Sequence, residues 1–323
     1  MNKFSYTAKN RQIQSITAVV FAFSLIFFQA TLVFSQAEYT APRIQYLASI
    51  KGYAEQIPFD HPMDIYVDSH GDIYIADHYK KAVFIFNKEF QPVAKIDKSN
   101  GISARPLSVA VNQDGIIFVA EEGKGNSPGK LLAFNFRCEF QKQMELKGFD
   151  GAASFSVQDI YIDEGGDLYL SGGDAGLVIL DKDGRFIRNI QPKDKRIVNV
   201  RSVDVNEEKI YCLSSNSGHV YVYDKHGEFV FRFGAPGATK GKLSRPQGIS
   251  VDKKTGLIYI MDYMRHALSV YNQEGDYLFE FGSKGGGPGL FNYPKGIFID
   301  RDGRLFVADT FNKRVQVFKI QRG

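Results

Sequence analysis

The chain of 323 residues contains no tryptophan, two cysteines and six histidines. Two thiols, Cys138 and Cys212, cannot build a disulfide framework. Neither lies in a Cys-x-x-Cys-His sequence that would hold haem covalently, and two are too few for a zinc site by themselves. The missing tryptophan argues against repeats whose signature is a Trp-Asp dipeptide. Long apolar runs are also scarce, and the clearest stands at the start. Lys3, Lys9 and Arg11 precede the apolar residues 16–28, and Ser35-Gln36-Ala37 puts small residues at the two positions a signal peptidase reads. Residues 1–37 are therefore expected to be a secretory signal, and residues 38–323 an exported protein in the periplasm, at the cell surface or outside. An uncleaved anchor is the competing reading, because residues 16–34 nearly reach the length of a bilayer span. No cysteine follows the run, which argues against a lipid anchor. An excess of one charge is missing too: with Lys3, Lys9 and Arg11 set aside, the 40 basic residues fall to 37 against 36 acidic ones. That balance does not suit a polyphosphate, so no nucleic acid is expected as a partner.

What is present is a repeat. Residues 291–318, FNYPKGIFIDRDGRLFVADTFNKRVQVF, hold three apolar alternations over residues 296–300, 304–308 and 314–318. Asp300-Arg301-Asp302-Gly303 supplies the tight turn between the first two. Equivalent first strands end at Asp68, Asn112, Asp163, Asn206, Asp252 and Asp300, spaced by 44, 51, 43, 46 and 48 residues. Six residues before four of these anchors stand Pro62, Pro106, Pro246 and Pro294, with Val157 and Val200 in the other two copies. A period near this length with about four strand-sized pieces marks a propeller, in which each repeat is one radial sheet. The sixth copy ends after its third strand, and residues 44–50 alternate as the fourth strand of copy five does. The expected fold is all-β: a six-bladed β-propeller of four-stranded antiparallel blades, its ring closed by the N-terminal strand pairing beside residues 314–318. Cys138 and Cys212 then fall on blades two and four, too far apart to bridge.

Phe-x-x-Pro-x-Gly-Ile-x-Ile-Asp, Gly-x-Leu-x-Val-Ala-Asp and Asn-x-Arg-Val-x-Val-Phe, as they stand from Phe291, resemble the NHL repeat. Copies five and six match it well, one and two in part, and three and four in hydrophobic pattern alone. The resemblance implies a six-bladed propeller over the whole chain after about residue 40. NHL relatives include a zinc-dependent amidating lyase whose histidines directly follow the repeat proline. Here those positions are Met63, Leu107, Gln158, Arg201, Gln247 and Lys295, none of them histidine. His78, His219 and His266 stand in loops of three different copies, so no metal and no cofactor is expected. Asp77, Glu121, Asp262 and Asp309 recur at one repeat position and are read as acceptors for backbone N–H groups in their turns, not as catalytic groups. Turns such as residues 68–71 and 224–227 are read as hairpin turns, not calcium loops.

Blade-to-blade crossovers and the loops joining second to third strands emerge together in a propeller, around the channel mouth. The expected binding set there is Arg201, Lys295, Gln158 and Gln247, bordered by Arg105, Arg245, Arg265, Tyr79, Tyr263 and Tyr293, since Arg and Tyr anchor interfaces. No nucleophile, base and orienting group can be assembled from these residues. The function expected is that of a monomeric, non-catalytic scaffold holding a protein, peptide or cell-surface glycan at the mouth. A metal-dependent lyase or lactonase-type hydrolase using the same face is the alternative.

Overall fold

The computed structural model describes residues 41–123, 127–172, 176–191 and 199–322. The expected signal peptide, residues 1–37, lies outside the described residues. Six four-stranded antiparallel sheets follow one another along the chain. Their innermost strands are Pro62–Val67, Pro106–Val111, Asp159–Ile162, Val200–Val205, Pro246–Val251 and Ile297–Ile299. Each first turn is built as its residues require. Asp68 Oδ1 accepts hydrogen bonds from the backbone of His70 and Asp72, and Asn112, Asp163 and Asp300 serve their turns in the same way.

The second and third strands depart from the expected alternation. Ile73–Asp77 and Ala82–Phe86 are buried at every position, as are Ile258–Asp262 and Ala267–Tyr271. A blade is covered on both faces by its neighbours, so both side-chain rows of its middle strands are interior. Six apolar clusters result, each between two consecutive blades. One joins Ile65, Ile75, Phe84 and Phe86 of the first blade to Phe306, Val315 and Val317 of the last.

The ring closes as the truncated sixth repeat predicts. Arg43–Ile50 pairs antiparallel with Arg314–Gln321 from Arg43 opposite Gln321 to Ile50 opposite Val315, with a register shift between Tyr46 and Ala48. Between this strand and blade one the chain inserts a small hairpin, Gly52–Ala54 against Ile57–Pro58, which the repeat pattern does not indicate. Blades three and four, whose motifs are degenerate, still form four strands each. Cys212 lies in blade four, as expected, in its second strand. Cys138 occupies the turn before the fourth strand of blade two, with φ 64°.

Candidate functional site at the channel mouth

The innermost strands enclose a channel of about 430 Å³. The loops at its mouth are pinned by the recurring acids. Asp77 accepts hydrogen bonds from the backbone N–H groups of Asp60, His61 and Lys80, and Asp262 from those of Ser244, Arg245, Met264 and Arg265. Glu121 holds the N–H groups of Ser103 and Ala104. Asp309 takes the N–H of Asn292 and pairs with Arg314 at 2.7 Å. Each acid thus serves the crossover that enters its blade, and Asp77, Asp262 and, through the Asn312 side chain, Asp309 serve their own turn as well. These carboxylates are buried and engaged in holding loops.

Of the residues that follow the repeat prolines, Met63, Leu107, Gln158, Arg201 and Gln247 line the channel. Arg201 donates from Nε to Gln247 Oε1 and from Nη1 to the Gln158 carbonyl, both at 3.0 Å. Burial lowers its pKa, opposed by the charges of Asp159 and Asp64. Lys295 lays its ammonium 3.2 Å from Met63 Sδ and 5.8 Å from the Tyr263 ring centre. Burial first, then the charges of Arg201 and Arg245, bring its pKa down to about 8. Among the described residues, neither Arg201 nor Lys295 has a carboxylate within ion-pair distance. Arg105 stacks 5.1 Å from the centre of Tyr79 and pairs with Glu122 at 3.6 Å, while Arg245 is exposed. Arg265 turns away from the group: its guanidinium is bound to Glu280 in the fourth strand of blade five and to the Ala238 carbonyl.

Tyr79, Tyr263 and Tyr293 belong to a larger array of rings. From blade one the array runs Tyr79 to His61 at 4.5 Å and His61 to Phe311 at 5.0 Å. Phe311 to Tyr293 follows at 5.0 Å and Tyr293 to Tyr263 at 4.7 Å. The arc therefore covers blades one, six and five, while Gln158 and Arg201 stand on blades three and four, outside it. His61 and Phe311 were absent from the sequence-derived set. The signal available was the concentration of aromatic and histidine residues in the mouth loops of these three copies.

One layer deeper lies a network that the sequence reading missed. Ser108 Oγ lies 2.7 Å from Asp64 and 3.1 Å from Asp159, and Ser202 Oγ donates to Asp159 at 2.6 Å. Desolvation raises the pKa of both carboxylates, and the charge of Asp159 raises Asp64 further. The four residues stand at the position where copies five and six carry the repeat glycine, Gly248 and Gly296. Copy-by-copy comparison at that column would have found them. There, a Cβ on Gly296 would lie 2.6 Å from the Met63 carbonyl oxygen and one on Gly248 2.7 Å from the Lys295 carbonyl oxygen, so blades five, six and one meet backbone to backbone, where blades one to four meet through Asp and Ser side chains.

His78 and His266 lie in loops of blades one and five, while His219, expected in a loop, opens the third strand of blade four. Among the described residues no group of three or more His, Cys, Asp or Glu side chains could hold a metal ion.

Fold and site together define a six-bladed β-propeller with an arc of aromatic rings at its channel mouth and two cations, Arg201 and Lys295, that have no carboxylate in ion-pair distance among the described residues. A family model described as a 6-bladed beta-propeller matches residues 183–272 and 251–323, together under half of the chain. No curated protein matches the chain. Among solved structures, an auxiliary nutrient binding protein from Bacteroides thetaiotaomicron is 12% identical, with a TM-score of 0.64 over 89% of this chain and 79% of that one. A virginiamycin B lyase from Staphylococcus aureus is 14% identical, with a TM-score of 0.56 over 87% of this chain and 100% of that one. A streptogramin B lyase is 12% identical, with a TM-score of 0.55 over 79% and 78%. At these identities the likeness is one of fold.

Proposed function

We propose that the protein is an exported, non-catalytic propeller, built of NHL-type repeats, that binds its partner at the channel mouth through an anionic group. The observation that carries this is the pair Arg201 and Lys295, two largely desolvated cations with no carboxylate in ion-pair distance among the described residues. A desolvated cation left unpaired is costly, and a ligand carboxylate would offset that cost with charge-assisted hydrogen bonds. A binding role is in keeping with the nutrient-binding protein of similar fold. Export rests on the reading of residues 1–37, and no helix among the described residues is long and apolar enough to cross a membrane.

Titration with citrate, a compact polycarboxylate, tests the site. Replacing Arg201 and Lys295 together with Ala is expected to abolish binding. Replacing Lys225 and Arg301 on the opposite face is expected to leave it intact. Because Lys295 holds its proton only below about pH 8, affinity should fall as pH rises through that value. Equal binding by the two double variants would rule out the mouth.

A further inference from the structure

The mouth reading names a charge but not the body that carries it. Five rings in sequence, Tyr79, His61, Phe311, Tyr293 and Tyr263, stand with centres 4.5 to 5.0 Å apart. Tyr79 is 50% exposed and Phe311 46%, so the arc offers ring surface to solvent and is not an extension of the core. The rings sit on loops clamped by Asp77, Asp262 and Asp309, which makes the platform rigid before any ligand arrives. Cations border the arc: Arg105 against Tyr79, Lys295 against Tyr263 and Lys284 within 5.8 Å of Tyr293. Beyond the buried clamping carboxylates, the acids beside it, Asp60 and Glu122, are already paired with Lys313 and Arg105.

We propose that this arc is a stacking platform for an acidic glycan, a chain of pyranose rings bearing carboxylates, with the sugar faces on the exposed rings and the carboxylates at Lys295 and Arg201. The proposal rests on the mouth being the binding face and adds the class of ligand. A pyranose presents a flat C–H face that packs on an aromatic ring, while its edge carries the polar groups. A surface alternating rings with cations matches both. Peptides are recognised by adding a strand to a free sheet edge, by laying a helix in an apolar groove, or as acidic motifs read by Arg clusters, and comparison with oligoglutamate separates the last of these from a glycan. Each innermost strand is paired on one side alone and turns its other edge to the channel, whereas the rings of the arc stand on the loops between strands, which offer a peptide no strand edge to extend. Single-stranded nucleic acid also stacks on rings, but its phosphates require a continuous basic track, which a mouth also carrying Asp60 and Glu122 lacks.

The test is calorimetric titration of the mature protein with polygalacturonate, alginate, hyaluronate and chondroitin oligosaccharides. A neutral malto-oligosaccharide, oligoglutamate and a single-stranded oligonucleotide serve as comparisons. At least one acidic glycan is expected to bind at least tenfold more tightly than all three comparisons. Replacing Tyr79 and Phe311 together with Ala should reduce that affinity at least tenfold while leaving the melting temperature within a few degrees, because both rings are half exposed. Citrate binding should survive in this variant. If oligoglutamate or the oligonucleotide binds as tightly, or if no acidic glycan binds, the glycan proposal is overturned while citrate binding still stands or falls with Arg201 and Lys295. Unchanged glycan affinity in the Tyr79 and Phe311 variant would equally overturn the platform.

Discussion

Asp64 and Asp159 belong to blades that are not neighbours, yet they share the hydroxyl of Ser108 from the blade between them. Burial raises the pKa of both carboxylates, and the charge of Asp159 raises that of Asp64 further. The consequence for stability has a definite sign. Asp64 is raised from 3.8 to about 7, so the folded state binds its proton more tightly than the unfolded chain does. Its stabilising contribution is complete below about pH 4 and is lost as pH rises through about 7. The wild type should therefore melt at lower temperature at pH 8 than at pH 5. Asp64→Asn, which keeps an acceptor for Val109 N–H but cannot ionise, should flatten that dependence and be more stable at pH 8 by on the order of 1–3 kcal/mol. Parallel profiles for the two proteins would show that the pair does not share a proton.

The closing strand Arg43–Ile50 is bonded along its length to Arg314–Gln321. It covers the outer edge of blade six and inserts Ile50 among the rings of blades one and six, while Tyr46 meets Phe318 edge on at 5.9 Å. Ile50→Ala should cost about 2–4 kcal/mol, in the range for a buried Ile cut to Ala. Deleting residues 43–50 should lower the melting temperature by more than 10 °C or cause aggregation, because an unpaired strand edge and the apolar groups beneath it become exposed. A truncated protein that stays monomeric and melts with its parent would mean that the ring does not depend on this strand. The strand was legible because copy six lacks one strand and the chain start supplies one. The hairpin at residues 52–58 was not, since it belongs to no repeat.

At the level of the whole ring, consecutive blades are held by six separate clusters, and non-consecutive blades touch mainly at the channel. Cys138 and Cys212, in blades two and four, are both buried, and burial raises both thiol pKa values. Both should resist a maleimide in the native protein and become reactive on unfolding, with no peptide crosslinked between them after oxidation. A Cys138–Cys212 crosslink recovered from folded protein would contradict the order of the blades. The ring is also uneven. Glycine at 248 and 296 lets blades five, six and one approach closely, and the aromatic arc lies over those same blades.

The amino-acid sequence by itself determined the number of blades, the turns, the closure of the ring and the face on which the loops gather. All of these follow from local chemistry repeated at a regular interval: a turn made by Asp and Gly, a proline before a strand, an apolar run of fixed length. Only the tertiary structure decided which side chains meet. Asp64, Ser108 and Asp159 lie one repeat apart in the chain, and His61 and Phe311 are 250 residues apart yet in contact. Arg265 reads as a mouth residue from its loop, but Glu280 of the same blade draws its guanidinium away. Local patterning fixes where a side chain starts. Its partner depends on the neighbouring blade and on which oppositely charged or aromatic group reaches it first, and that is a property of the closed ring.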